Sequence, residues 1–200
     1  MPNVATGANQ PVGDLQRVVG WLVLLWAVFI ADVVMHVFFA QPALGERFGL
    51  RPHTVSGLVG IVGAPFLHAN IQHLVGNTVP LFILGWLSCG YSRKLTLVAV
   101  VYAALIGGTL TWFLGSSNEV HIGASGIVFG LAGFLLANAI FRKGCGAILI
   151  ALLVIVLFGS SLYAGLVIRE AGGQRISLEM HAGGLLGGVI AAWRLRRQKA

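Results

Sequence analysis

Five side chains in this sequence combine types and spacings that suit catalysis: His68, His73, Asn77, Ser125 and His181. His73 and Asn77 are four residues apart and share a helix face. His68 precedes His73 by five, about 140° around a helix, and lies off that face. A helical zinc pair needs His at i and i+4 with a Glu beside it. No such pattern occurs, so a metalloprotease is set aside and no metal ligand is assigned. The alternative for these histidines and Asn77 is hydrogen bonding between helices. Ser125 lies in Gly123-Ala124-Ser125-Gly126, where a loop becomes a helix. Free N–H groups and the positive dipole end favour a developing anion there. The same place suits a capping serine flanked by packing glycines. His181 opens Met180-His181-Ala182-Gly183-Gly184. A serine hydroxyl within reach of an imidazole is the activated-nucleophile arrangement. No acid completes a triad. Glu179 is two residues from His181 and points about 200° away on a helix. Asp32 pairs by spacing with His36 in a structural hydrogen bond. The pattern predicts a Ser–His dyad.

The elements that carry these residues must bring them together. The 200 residues are 57% hydrophobic and 10% charged, with 28 glycines. Soluble domains carry about 25% charged residues, so too few remain here to cover a soluble surface. That excludes an ordinary soluble enzyme, a disordered chain and a disulfide scaffold. A membrane span needs about 20 mostly apolar residues. Six stretches qualify: Val18–Ala40, Pro65–Ser88, Leu95–Leu114, Ser125–Phe141, Gly146–Ile168 and Leu178–Trp193. Each is expected to be helical, because lipid offers no partner for free backbone groups. The expected fold is an all-α bundle of six transmembrane helices. Residues 1–16 read as a polar, disordered tail, 17–194 as one six-span domain and 195–200 as a basic tail, with no second domain and no seventh span. Gly184 and Gly188 form one G-x-x-x-G pair, Gly183 and Gly187 another, and Gly126 and Gly130 a third. Such faces let helix backbones approach closely. If the fourth and sixth spans pack through them, Ser125 and His181 meet at one depth.

The net charge of +7 first suggests nucleic acid. Its distribution gives a different reading. Arg17, Arg93, Lys94, Arg142, Lys143, Arg194, Arg196, Arg197 and Lys199 fall at one set of span ends, and Arg47, Arg51, Arg169 and Arg175 at the other. The positive-inside rule then predicts cytoplasmic termini and an outward placement of the five polar residues. No nucleic-acid partner is expected; the basic clusters read as topology signals or anionic-lipid contacts. Cys89 and Cys145 fall at the inner face, where free thiols are expected.

With six spans, H-x4-H-x3-N opening the second, G-x-S-G opening the fourth and H-x2-G-x3-G opening the sixth, the chain resembles the rhomboid family of intramembrane serine proteases. The likeness covers nearly the whole sequence. It implies Ser125 as nucleophile, with His181 as general base and then acid. It implies an oxyanion hole from His73, Asn77 and the Ser125 backbone N–H. Gly123 and Gly126 would frame the nucleophile, His68 would give structural support, and Gly184 and Gly188 would pack the sixth helix. Phe129 stands where the family often has a Tyr against the catalytic His. The Trp-Arg pair frequent in the family's first outer loop has no counterpart in Gly57-Leu58-Val59-Gly60-Ile61, and Met180 replaces the more usual Ala. The resemblance implies a minimal bacterial form: a multi-pass plasma-membrane protease without cofactors, acting in the lipid bilayer on single-span or multi-span membrane-protein substrates, its oligomeric state open. Gln72, Asn70, His68, Ser116, Ser117 and Asn118 would line a hydrated outer pocket. By family analogy a side gate lies between the second and fifth spans, with Gly159, Gly165 and Gly172-Gly173 as loose points. The competing readings are a catalytically inactive client-binding relative and a small transporter.

Overall fold

The computed structural model describes residues 10–171 and 174–197; the polar stretch before residue 10, Gly172-Gly173 and Lys199 lie outside the described residues. The chain runs through α1 (Gln10–Phe39), α2 (Leu44–Phe48), short helical turns over Ser56–Phe66 that include α3 (Gly60–Gly63), α4 (Ile71–Tyr91), α5 (Arg93–Leu114), α6 (Ser125–Arg142), α7 (Cys145–Val167), a hairpin of β1 (Glu170–Ala171) and β2 (Gln174–Arg175), and α8 (Leu178–Arg197). Among the described residues, five helices are long and apolar enough to cross a membrane: α1, α4, α5, α6 and α7. The protein is an integral membrane protein built from helices. The sixth apolar stretch folds as α8, 20 residues long, but is not among the five. Glu179, His181 and four glycines dilute its apolar character.

Three sequence expectations change. The turns before Val18 are helical rather than disordered, because their polar group has a partner. Asp14 is buried and ion-paired with Arg93 at the start of α5. The second long helix begins at Ile71, not Pro65, because Asn70 caps it, its Oδ1 accepting the His73 N–H at 2.8 Å. Asp32 and His36 do not pair. Asp32 Oδ1 accepts the Leu44 N–H at 2.8 Å, satisfying the start of α2, while His36 Nδ1 faces Gln41 O at 2.9 Å. Both groups fasten the turn after α1.

Glycine sets the packing that matters most. A Cβ at Gly184 would lie 2.1 Å from Gly126 O, and one at Gly188 only 1.8 Å from Gly130 O, so α8 and α6 touch backbone to backbone. The other pair faces α5: a Cβ at Gly183 would lie 2.6 Å from Gly107 Cα, and one at Gly187 2.6 Å from the Tyr102 carbonyl carbon. α8 is thus clamped between α5 and α6. Phe134, Leu135 and Leu131 of α6 join Leu84, Ala99, Val154 and Ala191 in the main core. By contrast α7 buries only Ala147, Ala151, Val154, Phe158 and Gly165, a narrow stripe. α1 docks on α4 through Leu25 against Leu74, with Trp26 Nε1 donating to Thr78 Oγ1 at 3.1 Å.

Candidate active site

The segment leading into α6 is fixed before Ser125 is reached. Leu50 and His121 form an isolated antiparallel bridge, with N–H···O distances of 3.0 and 2.9 Å. The Gly123 N–H donates to Ala64 O at 2.8 Å. These three bonds tie this segment to the chain between α1 and α4. Gly123 then adopts φ +116°, a conformation that side chains resist. Its bare face is needed too: a Cβ there would lie 2.5 Å from His73 Nε2 and 3.7 Å from Asn77 Nδ2. Ala124 is the helix cap and Ser125 the first helical residue, so Ser125 does not spend its hydroxyl on capping.

Ser125 Oγ lies 2.8 Å from His181 Nε2. The α6–α8 glycine contact sets this distance, since both residues sit at the first turn of their helices. His181 Nδ1 faces Gly165 O at 2.7 Å, and the Phe129 ring stacks on the imidazole at 4.1 Å and 5°. Glu179 hydrogen-bonds Arg169 at 3.1 Å, in keeping with its expected direction away from His181. Met180 is buried where Gly107 and Gly126 leave room; a Cβ on either glycine would come within 3.0 Å of its Sδ.

His73 and Asn77 come together beside Gly123, and the Asn77 amide donates to His73 O at 3.0 Å. His68 is buried edge-on to His73, ring centroids 5.1 Å apart, a backing position. The residues expected to line an outer pocket lie around the start of α4 and in the loop between α5 and α6. Asn70 is occupied as a helix cap, Ser117 Oγ bonds His53 Nδ1 at 2.9 Å, and Gln72, Ser116 and Asn118 are exposed. At the rim of the site, Arg175 of the hairpin ion-pairs with Glu119, and His121 Nε2 lies 3.7 Å from Glu119. Burial pushes the His121 imidazole below its ordinary value, against the opposing pull of Glu119 and Glu179.

Sequence reasoning missed two contributors. The Leu50–His121 bridge is made of backbone groups that carry no residue signature. Gly165, expected as a loose point of a gate, is packed: a Cβ there would lie 2.5 Å from Phe129 Cζ and 2.9 Å from His181 Nδ1. Its position 16 residues before His181 gave no periodic signal.

The family model described as a Rhomboid domain matches residues 55–198. An uncharacterized protein of Mycobacterium tuberculosis is 38% identical over 155 residues, covering 74% of this chain and 63% of the relative. Rhomboid-related protein 2 of Mus musculus is 34% identical, covering 60% of this chain and 43% of the relative. Rhomboid-like protein 11, chloroplastic, of Arabidopsis thaliana is 27% identical, covering 88% of this chain and 65% of the relative. The chain thus spans less than two thirds of the length of each of these relatives.

Proposed function

This chain belongs to the rhomboid family, and we propose that it is an intramembrane serine endopeptidase working through the Ser125–His181 dyad. The 2.8 Å contact between Ser125 Oγ and His181 Nε2, made at the helix starts of an integral membrane protein, carries this reading. In the proposed topology α8 is the sixth span, both termini are cytoplasmic, and the dyad faces outward at the plasma membrane.

A substrate span enters from the side and unwinds near the dyad, since a helical peptide bond is sterically hidden and already hydrogen-bonded. As Ser125 Oγ attacks the scissile carbonyl, His181 Nε2 takes its proton. The carbonyl oxygen becomes an oxyanion, met by the Ser125 N–H at the start of α6, His73 and the second N–H of the Asn77 amide. His181 returns the proton to the leaving amine. Water then attacks the acyl-enzyme with His181 again as base, releasing the new carboxylate and restoring the serine. Phe129 holds the ring by its face and has no hydroxyl to compete for the proton.

The test is cleavage of a single-span model substrate by the purified protein in proteoliposomes. Ser125→Ala and His181→Ala should each abolish cleavage while both variants accumulate in membranes, and Ser125 should react with an activated fluorophosphonate. Undiminished cleavage by either variant rejects the dyad. Native substrates should emerge as fragments shed by active cells and missing from Ser125→Ala cells in membrane proteomics.

A further inference from the structure

The geometry points to a backbone third member of the catalytic pair: the Gly165 carbonyl of α7 positions His181 in the tautomer that can accept the Ser125 proton. This inference rests on the dyad reading and deepens it. A neutral imidazole carries one N–H and one lone pair, and a carbonyl oxygen only accepts. With Gly165 O at 2.7 Å from Nδ1, the proton belongs on Nδ1. Nε2 is then left with its lone pair toward Ser125 Oγ at 2.8 Å. The opposite tautomer would set two lone pairs against each other at the Gly165 contact and turn an N–H toward the nucleophile. A triad carboxylate has this same orienting role. When Nε2 takes the serine proton, the imidazolium donates from both nitrogens and the carbonyl dipole stabilises its charge. Gly165 O accepts a hydrogen bond throughout and never takes the proton.

The carbonyl is available because of where α7 ends. The last four carbonyls of a helix have no amide four residues ahead within the helix. α7 stops at Val167, and the Ile168 N–H closes on Ala164 O at 2.8 Å, so the amide that would serve Gly165 lies past the helix end. Glycine is required because a Cβ at 165 would lie 2.9 Å from His181 Nδ1 and 2.5 Å from Phe129 Cζ, wedging the ring off the carbonyl. Phe129 fixes the ring plane and the two hydrogen bonds fix its rotation. The acceptor therefore belongs to the long helix with the narrow buried stripe, and catalytic competence depends on where the end of α7 sits.

Replacing Leu166 by its α-hydroxy-acid analogue tests this in the full chain. The Gly165 carbonyl becomes an ester carbonyl, a weaker acceptor, with no side chain altered. The same replacement at Val167 is the control; it also removes one helix amide but weakens the Leu166 carbonyl instead. The Leu166 ester should lower kcat about tenfold with KM unchanged, a fraction of the loss that follows a wrong tautomer in a full triad. The control should stay near wild type. The His181 ring 15N signals, identified by their loss in His181→Ala, should report an Nδ1–H tautomer in wild type and a mixture in the Leu166 ester. Unchanged kcat and ring signals, a change in KM alone, or an equal loss in both esters would overturn the positioning role. Ser125→Ala in the same assay keeps the two ideas apart, since its residual cleavage would reject the dyad itself.

Discussion

At the residue scale, His73, Asn77 and His121 surround the loop that leads into Ser125 but act differently. Asn77 is buried in α4 with one amide hydrogen on His73 O at 3.0 Å, and the proposed oxyanion hole uses the other. Asn77→Ala should slow turnover by about 10²–10³-fold, the usual cost of one such donor, without preventing fluorophosphonate labelling of Ser125. Loss of labelling would mean that Asn77 holds the fold instead. His121 anchors the loop, and its buried ring resists protonation. The unfolded chain takes up that proton as pH falls through about 6.5, while the folded protein takes it up only at lower pH. The stability linked to His121 is therefore complete above the ordinary histidine pKa and is lost as pH drops below it. Thermal unfolding in detergent should show His121→Asn costing more stability at pH 8 than at pH 5. Parallel pH profiles for the two proteins would remove His121 from the acid response.

At the element scale, close packing rests on positions where even a methyl group has no room. A Cβ at Gly188 would fall 1.8 Å from Gly130 O, and that atom belongs to backbone. Gly188→Ala must separate α8 from α6, drawing His181 away from Ser125. It should abolish Ser125 labelling and lower the yield of monodisperse protein. Gly20→Ala is the counterpart, with nothing within 4 Å of its new Cβ, and should leave both readouts unchanged. Wild-type behaviour of Gly188→Ala would contradict the backbone contact between α6 and α8. The sequence made this contact legible because side-chain periodicity encodes it: G-x-x-x-G repeats mark the helix faces, and those faces set the depth of Ser125 and His181. The long helices were legible for a related reason, since lipid imposes both length and apolarity. Backbone interactions at loop and helix ends were not. The Asp32 cap on α2, the Leu50–His121 bridge and the Gly165 carbonyl each join groups distant in sequence, with at least one partner a backbone N–H or C=O common to nearly every residue. Asp14 was hidden likewise, since nothing local indicates that Arg93 lies beside it.

At the scale of the whole molecule, the net charge of +7 resolves into two ends of unlike charge. The structure gathers Asp14, Arg17 and Arg93 at one end, with Arg142 over the Tyr91 ring, while Glu119, Arg175, Arg169 and Glu179 pair at the end that holds the dyad. The end opposite the dyad keeps an excess of basic residues, whereas acids and bases balance around Ser125. Basic residues are retained on the cytoplasmic side during insertion, so this asymmetry predicts which end faces in. The two cysteines report on it directly. Cys145 is exposed at the start of α7 and Cys89 is half-buried near the end of α4, both at the basic end. With Cys89→Ser, a membrane-impermeant maleimide should leave Cys145 unlabelled in intact cells and label it once the membrane is permeabilised. Ser116→Cys in a Cys89→Ser, Cys145→Ser background should behave in the opposite way, because residue 116 is exposed on the loop that leads to Ser125. Labelling of Cys145 in intact cells with protection of residue 116 would invert the molecule. The dyad would then face the cytoplasm, and substrate segments near the inner surface, rather than the outer one, would become the candidates for cleavage.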